Sequence, residues 1–345
     1  MMLDRRTLMS GALAGAAIGP TMAFARTGAE PTLAAPTGTK QTALKGHFPL
    51  PPGFERFAIW PGKAPGGDPV NVQEIETLRT PDGGPEDGIF AHVVTPTLTM
   101  LRPEAVGAQS NGAAILLVPG GGYLRVAIGH EGYAIARRFA AAGYTCFVLL
   151  YRLPGDGWTA GPEAPLQDAQ RALRLVRSLA PKERFDADRV GVLGFSAGGH
   201  LAAWLTSRPP VESYKTVDAA DRAPIRAAVA GYIYPVILME GPFVHGGSRT
   251  QLLGTNPGPE RMRAYSLDQN VGAGTPPVFL AHALDDATVP PENSIAMLAA
   301  LRAKAIPVEC HMFENGGHGF GISPQAQSAA PWPDLFLAFA KRHGV

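Results

Sequence analysis

The residues best suited to catalysis are a serine, an aspartate and a histidine that occur in this order along the chain. Ser196 is the centre of the run Gly194-Phe195-Ser196-Ala197-Gly198, and Asp286 and His318 lie downstream of it. A serine hydroxyl becomes an effective nucleophile when a base removes its proton, a third group orients that base, and backbone amides bind the oxyanion. This set of residues therefore predicts acyl transfer to Ser196, with His318 as the base and Asp286 as its partner.

The residues around Ser196 predict a sharp turn between a strand and a helix. Residues 190–195 form a short apolar run, and residues 197–206 have a helical pattern. A Gly-x-Ser-x-Gly motif in this context exposes the serine on a tight turn, which requires small residues at the two glycine positions. It also places the serine at a helix N-terminus, where backbone amides face developing negative charge. The alternative is a glycine-rich turn in which the serine is incidental.

The aspartate and the histidine each have a competitor. Asp285 and Asp286 both follow the predicted strand 278–283, and the D-x-x-V-P spacing favours Asp286. His318 lies in a glycine-rich loop after the last predicted strand, 308–313, where close backbone approach is expected. His311 lies within that strand and is interpreted as a core or edge residue, and His200 as a helix-packing residue near the site.

A second glycine-rich segment is positioned to bind an oxyanion. Pro119-Gly120-Gly121-Gly122-Tyr123 follows the apolar run 113–118. Glycines allow backbone amides to point inward, so the predicted donors are the N–H groups of Gly121, Gly122 and Ala197. The alternative is an ordinary glycine-rich turn. This chemistry requires no metal and no cofactor, and the histidines show no paired metal-ligand spacing.

The remaining pattern predicts the elements that position these residues. Residues 54–60, 72–78 and 89–96 are predicted to be an antiparallel start to a sheet. Downstream, buried strands alternate with helices, which predicts an α/β fold with a mostly parallel, eight-stranded sheet and helices on both faces. The strands are predicted at 113–118, 144–151, 190–195, 227–234, 278–283 and 308–313, and the helices at 131–142, 166–179, 197–206, 295–304 and 334–343.

The chain is predicted to divide into an export signal, a leader and one catalytic domain. Residues 1–25 contain Arg5-Arg6, a short apolar stretch and Ala23-Phe24-Ala25, which favours a twin-arginine signal over a general secretory one. Residues 26–45 are predicted to be a flexible leader, and 46–345 the catalytic domain. Residues 235–277 interrupt the alternation and are predicted to form a lid-like segment. The protein is thus expected to be periplasmic or secreted, without stable membrane association once the signal is removed.

Composition excludes some functions and bears on the cysteines. The chain has 345 residues and a formal net charge of +1, which gives no basis for nucleic-acid binding. Its two cysteines, Cys146 and Cys310, lie on strands expected to be far apart in the sheet, so both are predicted to stay reduced. The sequence does not predict an oligomeric state.

From about residue 54 to its end, the chain resembles α/β-hydrolases of the carbohydrate acetylesterase type, related to bacterial acetyl xylan esterases. The resemblance lies in Pro119-Gly120-Gly121-Gly122-Tyr123, Glu131-Gly132-Tyr133, Tyr151-Arg152-Leu153, the Ser196 motif, Asp286-Ala287-Thr288-Val289-Pro290 and Gly317-His318-Gly319-Phe320. It implies a serine esterase that deacetylates a small or oligosaccharide substrate such as acetylated xylan.

Two other functions stay open at this point. The alternatives are a broad short-chain carboxylesterase or lipase, and a hydrolase fold kept as a catalytically idle binding protein. Four further residues are expected on the catalytic side of the fold, where each could bind sugar or be structural. They are Tyr123, Glu131, Arg152 and Trp158.

Overall fold

The computed structural model of the protein describes residues 48–68, 70–80, 82–209 and 211–345. Within these residues the chain forms ten β-strands and seven α-helices. The strands are β1 (Phe54–Ala58), β2 (Ile75–Leu78), β3 (Gly88–Ala91), β4 (Thr97–Leu101), β5 (Ala114–Val118), β6 (Thr145–Leu150), β7 (Val190–Phe195), β8 (Val229–Ile233), β9 (Val278–Ala283) and β10 (Val308–Phe313). The helices are α1 (Ala134–Ala140), α2 (Ala164–Glu183), α3 (Ser196–Ser207), α4 (Gly246–Leu253), α5 (Pro259–Tyr265), α6 (Glu292–Ala303) and α7 (Trp332–Arg342).

Eight of the strands form one sheet in the order β1-β4-β6-β5-β7-β8-β9-β10. From β6 to β10 all neighbours are parallel, whereas β4 pairs antiparallel with both β1 and β6. The strands β5 to β9 are buried along their whole length, as the continuous apolar runs predict. This is the α/β-hydrolase architecture expected from the sequence.

The antiparallel start of the sheet differs from the prediction. The predicted strand at 89–96 is only β3, which pairs with β2 in a separate two-stranded sheet. The predicted strand at 54–60 is β1 of the main sheet, but its partner there is β4, which begins directly after Pro96 and was not predicted. Its sequence, Thr-Leu-Thr-Met-Leu, alternates like a half-exposed strand. Both of its faces are nevertheless buried, and Thr99 accepts a hydrogen bond from Arg56.

The two cysteines lie on strands separated by four others. Cys146 is in β6 and Cys310 in β10, with β5, β7, β8 and β9 between them. Both are free thiols in the structure, as predicted.

Two predicted segments need separate mention. The signal at 1–25 and the leader at 26–45 lie outside the described residues. The segment 235–277 contains α4 and α5, and its expected role as a lid stays a prediction. Among the described residues, no helix combines the length and apolar character needed to cross a lipid bilayer.

Candidate active site

Ser196 lies at the junction of β7 and α3, with a backbone φ of +52°. A residue other than glycine rarely adopts this left-handed conformation, so the surrounding structure must hold it in place. The two glycines of the motif make this possible. A Cβ on Gly194 would lie 2.3 Å from the carbonyl oxygen of Gly198, and one on Gly198 would lie 2.2 Å from that of Val118. The turn therefore accepts no side chain at either position.

A chain of two hydrogen bonds links Ser196 to Asp286 through His318. The Ser196 Oγ lies 2.9 Å from His318 Nε2, and His318 Nδ1 lies 2.7 Å from Asp286 Oδ2. Ser196 and Asp286 are buried, whereas the His318 side chain is 20% exposed. With Asp286 accepting from Nδ1–H, the Nε2 atom is free to accept the serine proton.

The two competing aspartates contact different parts of the histidine loop. Asp286 contacts the His318 ring, while the exposed Asp285 accepts a hydrogen bond of 2.8 Å from the backbone amide of Gly317. The Asp286 carboxylate also accepts bonds of 2.9 Å each from the amides of Thr288 and Val289. This explains the D-x-x-V-P spacing, because the turn that follows the aspartate binds its Oδ1.

The surroundings of Asp286 stabilise its charged form. Burial opposes ionisation, but hydrogen bonds from His282, His318 and the amide of Val289 outweigh it and hold the pKa of Asp286 well below its ordinary value. A carboxylate that stays ionised is what an imidazole needs in order to carry positive charge during a reaction.

His282 is a site residue that the sequence reasoning missed. It is fully buried at the end of β9, and its Nε2 lies 3.2 Å from Asp286 Oδ2 and 3.0 Å from the carbonyl oxygen of Val289. Since Nε2–H donates to these oxygens, Nδ1 accepts from the hydroxyl of Ser294 at 2.8 Å. The signal was available in the sequence, because His282 precedes Asp286 by four residues.

The glycine-rich loop after β5 lies beside the serine. A Cβ on Gly120 would lie only 2.8 Å from the Cβ of Ser196. The amide of Gly120 donates to Glu131 Oε2 at 2.7 Å, and the hydroxyl of Tyr151 donates to the carbonyl of Pro119 at 2.8 Å. Gly121 and Gly122 follow with φ of +128° and +69°. The hydrogen bonds to Glu131 and from Tyr151 therefore fix the start of the glycine-rich loop.

Glu131 reaches this loop through a local irregularity in its helix. Residues Gly129–Tyr133 form a π-helical turn before α1, where the sequence predicted a continuous helix from 131. Turns of this kind occur often at functional sites. Here the π-helical turn carries the buried carboxylate that binds the amide of Gly120.

Tyr123 and His200 form a buried pair behind the loop. The Tyr123 hydroxyl lies 2.8 Å from His200 Nδ1, and His200 Nε2 donates to the carbonyl of Tyr265 at 2.9 Å. Burial lowers the pKa of His200 to about 4, so it is neutral and acts in packing, as its place on α3 suggested.

Arg152 and Trp158 belong to a structural cluster. Arg152 is fully buried and forms a 2.9 Å ion pair with Asp168, which also accepts from Trp60 Nε1. The Arg152 guanidinium lies over the Trp158 ring, and both residues line a cavity of about 330 Å³ beside β1 and β4.

Tyr234 packs against the ring of His318. It follows β8 with φ of +38°, and its ring lies edge-on to that of His318 at 5.2 Å and to that of Phe320 at 4.5 Å.

In the described part of the chain, no group of three or more His, Cys, Asp or Glu side chains is arranged to hold a metal ion.

Comparison with known proteins identifies relatives of this chain. A model of the BD-FAE family matches residues 103–301. An endo-1,4-beta-xylanase B from Butyrivibrio fibrisolvens is 34% identical over 215 residues, which are 61% of this chain and 32% of that protein. An acetylxylan esterase from Xylanibacter ruminicola is 33% identical over 216 residues, which are 61% of this chain and 42% of that protein. The chain thus spans less than half the length of these two curated relatives.

A solved structure matches over more of the chain. The crystal structure of an acetyl ester-xyloside bifunctional hydrolase from Caldicellulosiruptor lactoaceticus is 32% identical, with a TM-score of 0.67. The match covers 86% of this chain and 98% of that one.

Proposed function

The chain belongs to the BD-FAE family and its domain is an α/β-hydrolase of the carboxylic ester hydrolase class, and on this premise we propose that the protein removes acetyl groups from acetylated xylan or xylo-oligosaccharides. The observation that carries the proposal is the hydrogen-bonded chain from Ser196 through His318 to Asp286. The names of the relatives, which include an acetylxylan esterase and an acetyl ester-xyloside hydrolase, support the substrate class.

The proposed mechanism is a two-step acyl transfer. His318 takes the proton of Ser196, whose Oγ attacks the ester carbonyl, and Asp286 stabilises the imidazolium that forms. The tetrahedral intermediate collapses when His318 gives this proton to the oxygen of the leaving sugar alcohol. Water, activated in turn by His318, then hydrolyses the acetyl-enzyme and releases acetate.

The oxyanion is proposed to bind the amides of Gly121, Gly122 and Ala197. The amide of Gly120 already donates to Glu131, so the next two amides of the loop are the candidates on that side. Ala197 lies in the first turn of α3, where amides have no partner within the helix. Three converging donors of this kind are the usual means of stabilising an acyl-transfer intermediate.

A side-by-side assay separates this function from its alternatives. We expect the protein to release acetate from acetylated xylan, and kcat/KM to fall steeply from acetate to butyrate to octanoate esters of one chromogenic alcohol. A broad carboxylesterase or lipase would instead show a flat or rising series and little preference for xylan over acetylated pectin. An idle binding protein would hydrolyse none of these esters.

We further propose that the protein is exported and that residues 46–345 are its catalytic domain. The support is the sequence of residues 1–25, with its paired arginines and Ala23-Phe24-Ala25 motif. Sequencing the N-terminus of the mature protein should place cleavage after Ala25. Replacement of both Arg5 and Arg6 by lysine should block export, whereas a general secretory signal would tolerate it.

A further inference from the structure

Residues 243–251, which include most of α4, cross the edge of the sheet at which the strands β5 to β9 end. Near their start, Asn293 Nδ2 donates to the carbonyls of Phe243 and Pro290, which ties this segment to the loop after β9. Near its end, α4 packs on the turn after β6, where a Cβ on Gly155 would lie 2.6 Å from Gln251 Oε1. The strands between β9 and β6 are β8, β7 and β5. Since Ser196 follows β7 and the glycine loop follows β5, residues 243–251 cross the edge of the sheet where both lie.

His245, at the start of α4, has an imidazole ring whose proton position is defined by its hydrogen bonds. His245 caps α4, and its Nδ1 accepts from the backbone amide of Ser248 at 3.2 Å and lies 2.7 Å from its hydroxyl. A neutral imidazole that accepts at Nδ1 carries its proton on Nε2. His245 is therefore a fixed hydrogen-bond donor at Nε2.

Burial favours the neutral form of His245, and the chain brings this residue to the loop after β9, because the carbonyl of Phe243, two residues before it, accepts from Asn293. Burial lowers the pKa of His245, the nearby His318 lowers it further, and Asp286 partly opposes both. His318 must pass its proton to the leaving oxygen, so the alcohol part of the ester lies against His318, at the sheet edge that residues 243–251 cross.

We propose that His245 is a specificity-determining residue whose Nε2–H binds a hydroxyl oxygen adjacent to the esterified oxygen of the leaving alcohol. The preferred substrates are then esters of vicinal diols, an arrangement that every pyranose ring offers. The inference rests on the proposed function, because it requires His318 to be the proton donor to the leaving group.

Two small esters test this without a polysaccharide. The probes are the monoacetate of trans-cyclohexane-1,2-diol and cyclohexyl acetate, which differ only in the neighbouring hydroxyl. We expect the wild-type protein to prefer the diol ester by about tenfold in kcat/KM, the effect of one ordinary hydrogen bond. His245→Asn keeps the helix cap but not the reach of the ring, and should reduce this ratio to near one.

The controls make each outcome decisive. His343→Asn removes an exposed histidine at the end of α7 and should keep the wild-type ratio. If His245→Asn lowers the unfolding temperature, His245→Ser, another good cap, replaces it. No preference for the diol ester in the wild type, or an unchanged ratio in the capped variant, overturns the proposal. Failure to deacetylate xylan with an intact diol preference would contradict the polysaccharide substrate but not the role of His245.

Discussion

At the scale of single residues, the site depends on a carboxylate shared between two imidazoles. Asp286 Oδ2 contacts both His318 and His282, and its Oδ1 binds two backbone amides. With Oδ1 fixed by the backbone and His282 on one side, the orientation of the carboxylate toward His318 is determined before substrate arrives. Preorganisation of this kind avoids a reorganisation cost during the reaction.

The two neighbouring aspartates provide a matched pair of variants. Asp286→Asn should lower kcat by about 10⁴-fold, since an amide in this place favours the wrong tautomer of the histidine. Asp285→Asn should have a much smaller effect, because its carboxylate is exposed and binds the amide of Gly317 rather than the ring. Steady-state kinetics with an acetate ester measures both. A larger loss for Asp285→Asn would mean that the catalytic acid has been misassigned.

The depressed pKa of Asp286 also predicts how stability depends on pH. A carboxyl whose pKa is lower in the folded state stabilises the fold above its unfolded pKa, which is about 3.9. That contribution disappears as the pH falls through the folded pKa. The difference in the free energy of unfolding between the wild type and Asp286→Asn should therefore shrink below about pH 4. Urea unfolding at pH 7 and pH 3 measures it, and a constant difference would contradict the ionised Asp286.

At the scale of elements, the strand-to-helix turn at Ser196 depends on close backbone contact. Gly198 lies in the first turn of α3 against the carbonyls of Val118 and Pro119 at the end of β5. This contact sets the distance between the serine and the glycine loop. The same small residues that permit the strained φ of Ser196 thus bring together the proposed nucleophile and the proposed oxyanion donors.

A pair of glycine variants tests this packing. Gly198→Ala should destabilise the fold by at least about 3 kcal/mol and abolish activity, because its Cβ meets fixed backbone at 2.2 Å. Gly62→Ala is the control, since this glycine is exposed and a Cβ there meets nothing within 4 Å, and it should change the free energy of unfolding by less than about 0.5 kcal/mol. Thermal unfolding and esterase assays compare them. Equal stability of the two variants would show that the turn can relax.

At the scale of the whole molecule, the sequence predicts the parallel half of the fold better than the rest. Continuous apolar runs such as Ala114–Val118 identify strands buried on both faces, and their order places Ser196, Asp286 and His318 at one edge. The strand β4 was missed because its alternating threonines suggest exposure, and only tertiary contacts bury them. Glu131 was not assigned a role because its contact with Gly120 depends on an irregular helical turn, about which local pattern carries no information. His282 was overlooked although its contact with Asp286 spans only four residues.

The central claim is that Ser196 is the nucleophile of an ester hydrolase, and covalent labelling tests it most directly. A fluorophosphonate reacts with an activated serine, and peptide mass mapping then locates the label. We predict one label per chain, on Ser196, with acetylesterase activity lost in proportion to labelling and with no label on Ser196→Ala. Labelling of a different residue, or activity that survives complete modification of Ser196, would contradict the account.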